Sequence, residues 1–159
     1  MSAIARLAQA KGYQLPQAPQ PVGNYLATIE QNELLFISGQ LPLENGQLHY
    51  QGCVGRDLTL EQGKQAAHLC ALNLLSQIDS ALDASGKSLD KILKLDGFIC
   101  TAPEFSRHAE VLNGASDLLA EVLGEHAGHI RTVLGCDSLP INAAVEISAI
   151  VALKNSASE

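Results

Sequence analysis

Tryptophan is absent from this chain of 159 residues, which also has only three Tyr, three Phe and one Met. A core without large rings must be filled by Leu, Ile, Val and Ala. The chain likewise offers few aromatic faces on which nucleobases could stack. Cations are also scarce: 10 Lys and Arg stand against 17 Asp and Glu, a formal charge of −7. That balance suits solubility and excludes a broad phosphate-binding surface, but not a local basic pocket. No uncharged apolar run approaches the ~18 residues that would cross a bilayer. The N-terminus, Met1 to Ala8, is mildly amphipathic but lacks a charged segment followed by an unbroken apolar stretch. It reads as a docking helix, not a signal peptide. The cysteines, Cys53, Cys70, Cys100 and Cys136, are widely spaced and form no Cys-x-x-Cys. Neither a disulfide framework nor a zinc site is expected, and a reducing, cytoplasmic setting is the default. His126-Ala127-Gly128-His129 crosses a glycine turn without His-Glu-x-x-His or a Cys partner, so no metal is expected. There is no Gly-x-Ser-x-Gly and no Gly-Lys-Ser/Thr phosphate loop.

Apolar residues make up 47% and charged residues 17%, which is a globular composition. Residues 1–20 are expected to form the N-terminal helix and a Pro-rich arm, and residues 21–159 a single domain. Strand-like runs at Tyr25 to Glu30 and Glu33 to Ser38 flank Gln31-Asn32 and suggest a hairpin. Glu44-Asn45-Gly46 marks a tight turn, and a short strand near Leu48 to Gln51 follows. Thr59-Leu60-Glu61-Gln62 fits a capping box. Beyond it, Ala67, Cys70, Ala71, Leu74, Leu75, Ile78 and Leu82 recur at helical spacing as far as a stop at Gly86. Ile92 to Thr101 reads as a strand. A helix after Pro103 follows, with Phe105, Ala109, Leu112, Leu119 and Leu123 inward. Strands at His129 to Cys136 and Ala143 to Leu153 close the chain. This order predicts an α+β fold, with two helices packed on one face of a sheet.

The last strand conflicts with a sheet covered on one side only. Ala143 to Leu153 is apolar on both alternating faces except at Glu146 and Ser148, so the second face is expected to meet other copies of the chain. Arg131 and Glu146 are the two ionisable residues inside apolar strand runs. Either they form an ion pair between neighbouring strands or lie at a solvated edge, or they line a cleft. In the cleft, Arg131 would grip an anion with its planar fork while Glu146 handles water or a proton. Tyr25, Ser38 and Asn113 taken alone read as a packed ring, a strand-end hydroxyl and an exposed helical amide.

Several blocks together resemble the RidA/YjgF family, also labelled endoribonuclease L-PSP. They are Gly23-Asn24-Tyr25, Leu35-Phe36-Ile37-Ser38-Gly39-Gln40-Leu41-Pro42, Ala66-Ala67 and Leu72-Asn73-Leu74-Leu75. The closing block adds Arg131 eight residues before Leu139-Pro140, then Val145-Glu146-Ile147. Val111-Leu112-Asn113-Gly114-Ala115-Ser116 and a His-x-Arg opening the penultimate strand resemble the longer branch of that family. The resemblance implies a chorismate-mutase-like fold, a homotrimeric barrel with clefts between subunits, and hydrolytic deamination of reactive 2-imino or enamino acids to 2-keto acids without a cofactor. It assigns the substrate carboxylate to Arg131 and the hydrolytic water to Glu146, and it places Tyr25, Ser38, Gly39 and Asn113 around the pocket. The cysteine that many members carry two residues after the arginine is Val133 here. Competing readings are an endoribonuclease or translation inhibitor, which the acidic, aromatic-poor composition disfavours, and a non-catalytic regulatory module that binds small carboxylates. Nucleic acid and membrane are not expected partners.

Overall fold

A computed structural model describes residues 2–156. Helix α1 (Ala3–Ala10) is followed by an extended arm and by strands β1 (Thr28–Gln31) and β2 (Leu34–Gln40). The arm extends further than the sequence suggested, so Tyr25 precedes the first strand instead of opening it. A small hairpin, β3 (Leu43–Glu44) with β4 (Gln47–Leu48), turns through Asn45 and Gly46 at φ 53° and 77°. Those left-handed values are why Asn-Gly occupies the turn.

Helix α2 (Leu60–Ser85) starts with both halves of the capping box. Gln62 N–H donates to Thr59 Oγ1 at 3.1 Å, and Thr59 N–H donates to Gln62 Oε1 at 2.9 Å. It stops at Gly86, which sits at φ 69°. The long strand β5 (Lys87–Cys100), helix α3 (His108–Leu123), β6 (Ile130–Cys136) and β7 (Val145–Asn155) complete the chain. The strand β5 begins five residues earlier than its apolar run, because Lys87 and Ser88 pair with Asn155 and Lys154 beyond the apolar core. Phe105 falls in the loop before α3, and Ala109 is exposed rather than inward.

The main sheet has the order β1-β2-β7-β5-β6, with β5 and β6 parallel and the other neighbours antiparallel. Helices α2 and α3 lie on one face. They bury Leu74, Leu75, Ile78, Leu112 and Leu119 against Ile92, Leu95, Ile147 and Val151. Gly114 allows the two helices to touch backbone to backbone: a Cβ there would fall 2.8 Å from the Lys64 carbonyl carbon. Helix α1 docks with Ile4 and Ala8 buried, as its amphipathic pattern implied. Among the described residues no helix is long and apolar enough to cross a membrane.

Among the described residues, no helix lies on the opposite face of the sheet. Register rows across it run Ile29, Phe36, Ile150, Lys94, Ile130 and then Glu146, Phe98, Leu134. Ile29, Phe36, Phe98, Ile130 and Leu134 are all among the exposed large apolar side chains. Scattered exposed apolar residues are ordinary, but a contiguous patch on one sheet face marks an interaction surface.

One cysteine expectation needs correction. Cys53 and Cys100 are joined as a disulfide across a sequence separation of 47, with their Cα atoms 4.6 Å apart. Their spacing carried no sign of this, because the segment holding Cys53 reaches β5 through loop geometry that has no periodic signature.

Candidate functional site

Strand β2 shifts its register against β7 by one residue between Ile37 and Gln40, which makes a bulge at Ser38-Gly39. Buried polar groups hold it. Gln40 Nε2 donates to the Ser38 carbonyl at 3.1 Å, and Gln77 Nε2 donates to Gln40 Oε1 at 3.3 Å and to the Pro19 carbonyl at 2.7 Å. Asn73, fully buried on α2, donates to the Leu41 and Leu43 carbonyls at 2.9 and 2.8 Å and so fastens the chain just beyond. The bulge brings the Gly39 backbone against Glu146. A Cβ at position 39 would overlap Glu146 Oε1 and lie 2.8 Å from its Cδ, so any larger residue would displace the carboxyl. The Ser38 N–H donates to the Ala27 carbonyl at 2.9 Å, two residues after Tyr25. Ser38, Gly39 and Glu146 therefore gather at one end of the open face, and Tyr25 stands on the segment that leads into β1 beside Ser38.

The Glu146 carboxyl has no hydrogen-bond or cationic partner among the described residues. It stands beside Phe98, with Leu134 next in the row. Burial pushes its pKa above the usual carboxylate range. Between the ordinary and the raised value, the unfolded chain has lost a proton that the folded chain keeps. Stability must therefore fall as pH rises through that window. Glu146→Gln should remove this slope. In thermal melts from about pH 3.5 to 8, the variant should melt higher than wild type near neutrality and equal it at the acid end. A wild-type penalty that is the same at both ends would contradict the assignment.

Arg131 is elsewhere. It is the register partner of Leu95, which in turn pairs with Ala149 on the helix-covered face. Glu146, three residues from Ala149 on the same strand, points the other way. The ion pair considered from sequence is therefore not formed. The two side chains are separated by two strand spacings of about 4.8 Å, about 10 Å along the strands, and the sheet itself.

The Arg131 guanidinium donates through Nη1 to Ser116 Oγ at 3.0 Å and through Nη2 to the Ala109 carbonyl at 3.1 Å. No carboxylate lies within salt-bridge distance of it among the described residues. Ser116 Oγ is also 3.0 Å from His129 Nε2, while His129 Nδ1 meets the Ala127 carbonyl at 2.6 Å. A carbonyl can only accept, so Nδ1 carries a proton, and in the neutral ring Nε2 accepts from the Ser116 hydroxyl. This leaves the Ser116 lone pairs to Arg131. Asn113 lies between Ala109 and Ser116 on the same stripe of α3, four residues after the one and three before the other. Arg131, Ser116 and His129 thus form a second group where α3 meets the edge strand β6, with Asn113 one helical turn before Ser116.

Ser116 and His129 are neighbours of Arg131 to which the sequence assigned no role. The available signals were the His-x-Arg spacing and a serine three residues after Asn113. A separate groove of about 540 Å³ on the helical layer, lined by Glu61, His68, Asp117 and Glu121, contains none of the expected residues. No three His, Cys, Asp or Glu among the described residues converge as metal ligands would.

The fold and the two groups can be set beside known proteins. Residues 4–153 match the family described as "YjgF/chorismate mutase-like, putative endoribonuclease". Protein TCP17 of Trypanosoma cruzi is 38% identical over 96% of this chain and 95% of its own. The crystal structure of Atu1372 from Agrobacterium tumefaciens, described as of unknown function, is 42% identical. It superposes with a TM-score of 0.86 over 95% of this chain and 92% of that one. A crystal structure from Shewanella oneidensis, described as "a putative endoribonuclease" and 30% identical, gives a TM-score of 0.87 over 94% of this chain and 98% of that one. With its mixed sheet, its two helices on one face and a match spanning nearly its whole length, this chain belongs to the YjgF/RidA family and has the chorismate-mutase-like α+β fold.

Proposed function

We propose that this protein hydrolyses 2-imino acids to 2-keto acids and ammonia, in clefts assembled from two copies of the chain. The observation that carries the reading is a half-buried Arg131 held in place by neutral acceptors, with no carboxylate counter-ion among the described residues. A guanidinium has five N–H donors, and two neutral hydrogen bonds orient the group without neutralising it. Its charge remains available to a ligand carboxylate, which fits its fork in a bidentate pair.

A single chain cannot supply both groups to one substrate. The Arg131 group lies at edge strand β6 on the helix side, and the Glu146 group lies on the open face. Association through the apolar open face, closing as a homotrimer, would bring the Arg131 edge of one protomer to the Glu146 face of the next. Heterologous contacts of this kind close into rings. The carboxylate of the imino acid would bind Arg131. Water would add to the C=N carbon as Glu146 takes its proton. The proton would then pass to nitrogen, and the carbinolamine would expel ammonia to leave the keto acid. A carboxyl with a raised pKa suits both steps, because it returns the proton as readily as it takes it. The chemistry needs neither metal nor cofactor, since the iminium carbon is already electrophilic.

The test is a coupled assay in which a pyridoxal-phosphate serine or threonine dehydratase releases the imine in the presence of this protein. Keto acid should appear faster than by spontaneous hydrolysis, in proportion to added protein. An unchanged rate would refute the reaction. Binding of keto acid without acceleration would instead favour a regulatory carboxylate-binding module.

A further inference from the structure

Three of the four cysteines converge at the carboxyl ends of β5 and β6. Cys53 and Cys100 are bonded to each other, and both are almost fully buried. Cys100 and Cys136 are register partners on adjacent parallel strands. Their side chains therefore share a face, with backbones about 4.8 Å apart, within the Cα range of about 4.4–6.8 Å that a disulfide spans. Cys53 Sγ and Cys100 Sγ both approach the carbonyl of Asp137, the residue after Cys136, at 3.8 and 3.4 Å. The Cys136 thiol donates to the carbonyl of Ile99, the residue before Cys100, at 3.5 Å. A half-buried free thiol thus stands beside a buried disulfide. Cys70, fully buried on α2, is the fourth cysteine and carries the sheet-facing core instead.

We propose that Cys53, Cys100 and Cys136 form an intramolecular thiol–disulfide exchange site. The Cys136 thiolate attacks Cys100 Sγ, the Cys53–Cys100 bond breaks and the Cys100–Cys136 bond forms. Cys53 leaves as a thiolate and takes up the proton that Cys136 gave up. One disulfide and one thiol are present before and after, so the step consumes no oxidant.

The exchange has a structural consequence. Cys53 anchors a segment in which Gly52 N–H donates to the Asn142 carbonyl at 2.9 Å and the Tyr50 carbonyl accepts from Ala144 N–H at 3.1 Å. Tyr50, Ile141 and Asn142 all sit at positive φ, 60°, 50° and 65°, conformations that persist only where neighbours impose them. Releasing Cys53 loosens the segment that pairs with Asn142 and Ala144, three residues and one residue before β7 begins, and Glu146 is the second residue of that strand. Burial holds the Cys136 thiol above its usual range, and the nearby carboxylates of Asp137 and Glu146 act in the same direction, against the Ser138 backbone N–H. The thiolate is the attacking species, so exchange should accelerate in alkali. This inference stands independently of the imine chemistry proposed above.

The experiment is disulfide mapping by mass spectrometry after equilibration with oxidised glutathione, a low-molecular-weight disulfide, and trapping of free thiols by alkylation. Wild type at neutral pH should yield the Cys53–Cys100 peptide pair. Cys53→Ser should yield Cys100–Cys136 instead, about tenfold above its level in neutral wild type. Wild type held at alkaline pH should show both pairings, which tests the site without any substitution. Cys136→Ser should retain Cys53–Cys100 alone under every condition. Finding all four thiols free in oxidised wild type would overturn the proposal. So would alkaline wild type, or folded Cys53→Ser, in which Cys100–Cys136 never forms.

Discussion

Arg131→Ala and Glu146→Gln protomers, each expected to be inactive alone, should regain roughly a quarter of the wild-type rate when co-assembled at random in equal amounts. The arithmetic follows from the two groups lying on opposite faces. Each cleft would take Arg131 from one protomer and Glu146 from its neighbour, so one arrangement in four places two intact contributors together. Each parent variant fails for its own reason. Truncating a guanidinium that binds a desolvated carboxylate should cost about 3–4 kcal/mol, or about 10²–10³-fold in kcat/KM. Replacing Glu146 by Gln removes the proton acceptor and should lower kcat by about 10²–10⁴-fold. Coupled keto-acid assays on the separately purified and the co-expressed proteins decide the matter. If the mixture is no more active than its parts while mixed oligomers are seen by native mass spectrometry, the shared cleft is wrong.

The second large effect is expected at the centre of the uncovered sheet face. Phe36 lies between Ile29 and Ile150 in the row that continues to Lys94 and Ile130. Phe36→Asp would place an unpaired carboxylate in that patch, and burying such a charge costs several kcal/mol per ion. Light scattering should show a smaller species with an unchanged far-ultraviolet spectrum, and imine hydrolysis should disappear with the assembly. Val22→Asp is the control, because Val22 is exposed but lies in the arm, off this face. If Phe36→Asp keeps its wild-type mass, the face is not where copies meet.

Much of this was legible in the residues, and the failures share a cause. The capping box at Thr59 to Gln62 and the stop at Gly86 were readable because each is a local hydrogen-bonding device with fixed spacing. The two-faced pattern from Ala143 to Leu153 was readable because strand periodicity is set by the backbone alone. The face on which Arg131 lies was not. In a run such as His129 to Leu134, every position is compatible with either side until the neighbouring strand fixes the register, and β5 pairs with β6 across a whole helix of intervening chain. The link between Cys53 and Cys100 was hidden for the same reason, since loop closure leaves no period to count. Ser116 and His129 escaped notice because a serine in a helix and a histidine at a strand start are individually commonplace. Only their meeting at one guanidinium distinguishes them.

The additional residue in β2 resets the parity of the strand. Ile37 and Gln40 are three positions apart, yet both are buried, at 4% exposure each. Uninterrupted alternation would send one of them outward. Deleting either Ser38 or Gly39 would therefore do more than shorten a turn. Every residue on one side of the cut would exchange inside for outside, so that either Gln40 or the Leu35–Ile37 pair would be expelled. Length at this point is as constrained as identity, and insertions or deletions here should be tolerated far less than in the arm that precedes β1.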